Sequence, residues 1–217
     1  MVDQIRSRQL SDDPTRNETI VAEGVSFEDF LRIYAEQHAE WLMGKVILIV
    51  SNNTRHQMLQ GFLYNLISYF LGINKMGRVL MAGVPMFISE DQPAREPDLL
   101  VVLREHDDRI KENSVNGPAD IVVEIVSPES INRDWGTKMT EYEMAGVQEY
   151  LLIDPLRQEA DLWALGQDGR YHRRALDEQG RIASSVLPGF ALDPVLFWQD
   201  EYPAGPDMAV LVQSMLD

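Results

Sequence analysis

Glu124 stands in the middle of Ile-Val-Val-Glu-Ile-Val, residues 121 to 126. An ionised carboxylate there loses its hydration at a cost of several kcal/mol unless a cation or hydrogen-bond donors meet it. Two readings stay open: an acid facing a cleft, or an acid on a near-edge strand that points to solvent or to a core arginine. Asp98 follows Pro97 at the head of the apolar run ending at Leu103. A strand end of that kind can aim a carboxylate into a cleft, although Asp beside Pro is also an ordinary turn residue. Asp120 could share a face with Glu124, but four residues of strand span roughly 13 Å, too far to hold one ion, so Asp120 reads as a strand-start residue. In the following segment Lys138 and Tyr142 are four residues apart and share a helix face, with Asp134 one turn earlier. The bland alternative is a surface Asp134–Lys138 pair with Tyr142 packing on the sheet.

Cysteine is absent, which excludes disulfides, thiolate metal sites and a cysteine nucleophile. A metal would have to be held by Asp, Glu, His or carbonyl oxygen, and an oxygen-rich site favours Mg²⁺ or Mn²⁺. His38, His56, His106 and His172 show no ligand spacing and read as surface or groove residues. Arg170, Arg173, Arg174 and Arg181 form a local basic cluster that a solvated face explains equally well. There is no GxGxxG after a strand, no GxxxxGK[ST] and no GxSxG, so dinucleotide, kinase and serine-hydrolase chemistry drop out.

The elements that would carry these residues are legible from periodicity. Residues 1 to about 24 are polar and aperiodic and read as an arm, followed by a single domain over residues 25–217. Ser26, with Asp29 three residues on, opens a helix whose apolar face is Phe27, Phe30, Leu31 and Tyr34. Met43-Gly44 divides two strand-like runs, a hairpin with Glu40 on its first strand. Thr54 to Leu71 has helical spacing, with Gly72 as the expected C-cap. Strands are expected at Arg78 to Ala82 and Pro85 to Ile88. Pro97 to Leu103 and Asp120 to Ser127 are apolar, branched runs typical of central strands covered on both faces. A helix from about Asn132 to Ala145, stopped by Gly146, leads into a strand ended by Pro155, which implies a parallel crossover. Gln158 to Leu165 and Arg170 to Ala175 flank a turn, and Pro206 to Leu216 forms a last amphipathic helix. The class is α/β with a mixed central sheet flanked by helices and additional antiparallel hairpins.

The series Glu40...Gly44, His56, Pro97-Asp98, ADIVVEIVSPES, Lys138, Tyr142 and GVQEYLLIDP resembles the Uma-type family of putative restriction endonucleases, a branch of the PD-(D/E)XK nuclease superfamily. The resemblance covers roughly Ser26 to Pro194, and its specific part is Asp120 to Pro155. It implies a restriction-endonuclease-like core in which acids on adjacent strands bind Mg²⁺ and a lysine attends the attacking water. Asp98 matches the family's aspartate, Glu124 its second acid, and Glu40 the acid of the early hairpin. The superfamily's lysine two residues after the glutamate is replaced by Val126; in this branch it looks to have moved to the following helix, which makes Lys138 the candidate. The acid often found just before the hairpin glycine is replaced by Met43.

The resulting expectation is a Mg²⁺- or Mn²⁺-dependent endonuclease acting on nucleic acid, most naturally DNA. Asp98, Glu124 and Glu40 would hold metal within one coordination sphere, because adjacent strands lie about 4.8 Å apart, and Lys138 would orient water or stabilise developing charge. A double-strand cut needs two sites, so a homodimer is expected on symmetry grounds. The competing reading is a catalytically inactive interaction protein that keeps the fold; a hydrolase of a small phosphorylated metabolite is a third. Nineteen basic against 35 acidic residues give a net charge of −16, which opposes general binding to nucleic acid but not binding at a metal-loaded groove. No apolar run approaches the roughly 20 residues that span a bilayer, and the N-terminus lacks a signal-peptide stretch, so a cytoplasmic location is the default expectation.

Overall fold

The computed structural model describes residues 19–34, 37–49, 53–127 and 133–216. The first 18 residues of the expected arm, and Asn132 at the expected start of the crossover helix, lie outside them. The strands are β1 (Thr19–Glu23), β2 (Ala39–Leu42), β3 (Lys45–Leu48), β4 (Gly77–Met81), β5 (Met86–Phe87), β6 (Leu99–Leu103), β7 (Val115–Asn116), β8 (Ile121–Ile125), β9 (Glu149–Asp154), β10 (Glu159–Leu165), β11 (Tyr171–Arg173), β12 (Ile182–Ala183) and β13 (Ala191–Leu192). The helices are α1 (Phe27–Tyr34), α2 (Thr54–Asn74), α3 (Met139–Ala145) and α4 (Pro206–Leu216).

The central sheet has the order β11-β10-β9-β8-β6-β4 and is mixed. β8 and β9 are parallel, as a strand–helix–strand crossover requires, and the other neighbours are antiparallel. All five residues of β8 and all six of β9 are buried, because both faces are covered. On one face Leu59, Leu63, Leu66 and Phe70 of α2 pack against Leu99, Val101, Ile121 and Val123. On the other, Leu100, Val122, Val126 and Leu152 pack with Tyr142, Val147 and Tyr150. Strand alternation places Glu124 on this second face, between Val122 and Val126.

β1, β3 and β2 form a separate antiparallel sheet over an aromatic cluster that includes Phe27, Phe30 and Trp41. Phe27 stacks on Phe87 with ring centroids 3.9 Å apart. The Met43-Gly44 turn has both φ angles positive, 47° and 91°, the two-residue geometry whose twist matches a hairpin and which favours glycine at its second position. β1 falls inside the segment expected as an arm: Thr19–Glu23 pairs with β3, a long-range pairing that local polarity conceals.

Two boundaries differ from expectation. Gly72 does not cap α2; the helix runs on to Asn74, and Lys75 takes the left-handed conformation at φ 53°, its N–H bonding to Gly72 O. The crossover helix begins with a π-helical turn at Arg133–Lys138 before α3, and Gly146 at φ 84° ends it as expected. Such turns widen the backbone and recur at functional sites. No helix among the described residues is long and apolar enough to cross a membrane.

Candidate functional site

Three pieces of backbone converge at the C-terminal end of β8. The first is the hairpin β2–β3. Trp41 and Ala94 exchange backbone hydrogen bonds of 3.1 and 2.7 Å, so β2 docks against the segment that leads into β6. Trp41 faces the aromatic cluster, and Glu40, one residue earlier, lies beside Arg95. The second is the antiparallel pairing of β6 with β8, in register Leu99 to Val123, which brings Asp98 beside Glu124 and Ile125. The third is the π-turn and α3, which carry Lys138, Glu141 and Tyr142 over the same sheet face.

The side chains form a nearly dry network. Lys138 Nζ donates to Glu124 Oε1 at 2.7 Å, and the Tyr142 hydroxyl donates to the same oxygen at 2.6 Å. The ammonium also lies 3.8 Å from Glu40 Oε1. Arg95 Nη1 donates to Glu40 Oε2 at 2.6 Å, while its Nε and Nη2 clasp both oxygens of Glu141 at 2.7 and 2.9 Å. This is the forked geometry that a guanidinium supplies and an ammonium cannot. Glu40, Glu124, Arg95 and Lys138 are each no more than 4 % exposed, so the pairings replace lost hydration rather than decorate a surface.

Asp98 has different partners. Its Oδ2 accepts the Ile125 N–H at 2.7 Å and lies 3.0 Å from His56 Nε2, while Gln60 Nε2 donates to the Asp98 carbonyl at 2.8 Å. Asn53 caps α2 by accepting the His56 N–H at 2.9 Å, which fixes the turn that aims the imidazole inward. Among the described residues both hydrogen bonds to the Asp98 carboxylate fall on Oδ2, so Oδ1 is open to a further partner.

The titration behaviour follows from burial and charge. Burial pulls the His56 imidazole down, but the hydrogen bond to Asp98 and the charges of Asp98 and Glu124 outweigh it, leaving its pKa above the usual 6.5. Burial also opposes the charge on Arg95; Glu40 and Glu141 outweigh that penalty and hold it protonated. Burial, reinforced by the charge on Glu124, raises the Tyr142 phenol well above 10.0, so it acts as a donor. Burial raises Glu96, and the hydrogen bond from His38 only partly counters it.

The expected gathering of three carboxylates around one point is absent among the described residues. Glu40 and Glu124 close instead on the Lys138 ammonium, and Asp98 turns to His56 and a backbone N–H. Like charges repel, so each acid settles on a partner that the chain itself supplies. Glu124 is buried and meets a lysine. Asp120 accepts from the Leu103 N–H and His106, consistent with a strand-start role. The side chain of Asp134 lies outside the described residues. His56, expected at a surface or groove, is 4 % exposed. Arg95, Glu141 and the inward face of His56 were not legible as site residues: Arg95 and Glu141 lie 46 positions apart, and no local period links them.

The residues fit a divalent ion in kind. The acids Asp98, Glu40 and Glu124 offer hard oxygen donors in a buried setting, the donor type that suits a divalent ion such as Mg²⁺.

A family model named Uma2 and described as "Putative restriction endonuclease" matches residues 27–195. Among solved structures, one described as a putative nuclease belonging to DUF820, from Anabaena variabilis, superposes with a TM-score of 0.66. The two chains are 18% identical, and the match covers 80% of this chain and 97% of that one. At that identity the likeness shows a shared fold. No curated protein matches.

Proposed function

This chain belongs to the Uma2 family of putative restriction endonucleases, and from that premise we propose that it is a divalent-metal-dependent endonuclease acting on DNA. The observation that carries the reading is the convergence of Glu40 and Glu124 on one cation, the Lys138 ammonium, with Asp98 on the neighbouring strand end. A site built to hold a cation among carboxylates is what hydrolysis of a phosphodiester needs, because the phosphate must approach an otherwise acidic protein.

Asp98, Glu124 and Glu40 would hold Mg²⁺ or Mn²⁺. When bound, the ion polarises the phosphate and lowers the pKa of water. Lys138, 2.7 Å from Glu124, would orient the attacking water and stabilise charge that develops on the phosphate. Tyr142 holds the Glu124 carboxylate in orientation, and the Ile125 N–H and His56 do the same for Asp98. A cut in both strands uses two copies of the chain related by a two-fold axis.

The test is incubation with supercoiled plasmid, single-stranded DNA and RNA, with Mg²⁺ and in excess chelator. Nicked or linear plasmid that forms only with the metal supports the reading. Intact substrates in every arm would favour a catalytically inactive protein in which the Lys138–Glu124 pair has a structural role.

A further inference from the structure

A groove of about 780 Å³ lies along the edge of β10, lined by residues that none of the preceding chemistry uses. Its wall includes Trp135 and Trp198, and Asp161, Arg173 and Arg174 line it as well. Its size falls within the roughly 300–1,000 Å³ of sites that enclose small ligands.

The groove is joined to the candidate site in two ways. Trp135 belongs to the same π-helical turn as Lys138. Asp161 pairs with Leu152, which in turn pairs with Glu124. Residues in register point to the same face, so Asp161 of the groove wall lies two strand spacings, roughly 10 Å, across the sheet from Glu124.

Its chemistry suits an anion with flat apolar faces. Arg174 is exposed and pairs with no carboxylate among the described residues, whereas Arg170, Arg173 and Arg181 pair with Glu143, Asp161 and Asp177. Arg173 nevertheless leaves 64 % of its side chain in solvent. In a chain of net charge −16, Arg174 shares this groove with two partly exposed indole rings, Trp135 and Trp198, and with Arg173, Glu159 and Asp161. Aromatic faces beside a cation are the arrangement that unpaired nucleotides occupy, with bases stacked and backbone phosphates paired.

We propose that this groove seats an unpaired nucleotide strand next to the cleavage site, with bases against Trp135 and Trp198 and a phosphate at Arg174. The inference rests on nucleic acid being the substrate. It adds the residues that would track the strand, and a preference for unpaired over fully paired ends.

The test is fluorescence anisotropy in Ca²⁺ with a labelled single-stranded 12-mer and a blunt duplex of the same sequence. Arg174→Ala is expected to weaken single-strand binding on the order of three- to tenfold and to reduce the slope of log affinity against log salt by about 0.7. Arg174→Lys should restore most of the affinity. Trp135→Leu, checked for folding by its thermal melt, should weaken the single strand more than the duplex. Lys111→Ala, an exposed cation outside the groove, reports the effect of net charge alone. If wild type binds and Arg174→Ala loses no more than Lys111→Ala, the groove assignment is overturned while the nuclease reading stands. If wild type binds neither DNA, both fall.

Discussion

The Lys138 ammonium lies 2.7 Å from Glu124 Oε1, with both side chains no more than 5 % exposed. The pair joins a crossover helix to a central strand, and its charges have no bulk water to fall back on. Removing one partner therefore takes from the other a short, buried charge contact. Glu124→Ala should destabilise the metal-free protein by about 3–5 kcal/mol, measured by urea unfolding. Relief of repulsion among clustered acids, the outcome expected if the carboxylates faced one another without a cation, would give unchanged or higher stability. Glu124→Leu combined with Lys138→Met should recover much of the loss, because an apolar pair needs no partner charge.

Arg95 links Glu40 on β2 to Glu141 on α3 and so ties the early hairpin to the helix that carries Lys138. Arg95→Met should cost about 3–5 kcal/mol by leaving two acids without their shared cation. Arg95→Lys should recover only part of it, since an ammonium cannot make the fork. Equal stability of the Lys variant and wild type would show that charge alone, not the forked geometry, matters.

His56 gives a pH signature. Its folded pKa is raised above 6.5, so the protonated imidazole stabilises the native state. That contribution is fully present below pH 6.5 and is lost as pH rises through the folded pKa. In chelator, wild type should lose stability over the interval that begins near pH 6.5 and ends above the folded value, and His56→Gln should lack this decline. Parallel curves for the two proteins would contradict the assignment.

Lys138 has a further role if its ammonium attends the attacking water. Lys138→Arg should keep metal binding, read by calorimetry, yet lower cleavage strongly, because a planar guanidinium misplaces the charge. Lys138→Ala should lower cleavage at least as much. Normal cleavage by Lys138→Ala would remove lysine from the chemistry.

What could be read from sequence was what local pattern encodes. The apolar runs of β6, β8 and β9 announce strands buried on both faces, and a charge inside one of them, Glu124, announces an obligatory partner. The four-residue spacing of Lys138 and Tyr142 put both on the face that meets it. Ser26 and Asp29 marked the start of α1, where the Asp29 N–H bonds to Ser26 Oγ at 3.1 Å. Arg95 was hidden because it sits in an aperiodic stretch before Pro97 and finds its partners through tertiary pairing. His56 lay in the first turn of an amphipathic helix, where an inward polar residue looks the same as an outward one until the Asp98 strand end is placed. β1 was hidden for a similar reason, since five residues of strand are specified by β3 more than by themselves.

The central claim is that Asp98 and Glu124 hold a catalytic divalent ion, and plasmid cleavage by Asp98→Asn at saturating Mg²⁺, beside wild type, tests it most directly. The substitution keeps the side-chain carbonyl that can accept from Ile125 N–H, so the fold should survive while the anionic donor is lost. The account predicts metal-dependent cleavage by wild type and a loss of at least about a hundredfold for the folded variant, the scale on which electrostatic stabilisation operates. Cleavage by Asp98→Asn at the wild-type rate would contradict it.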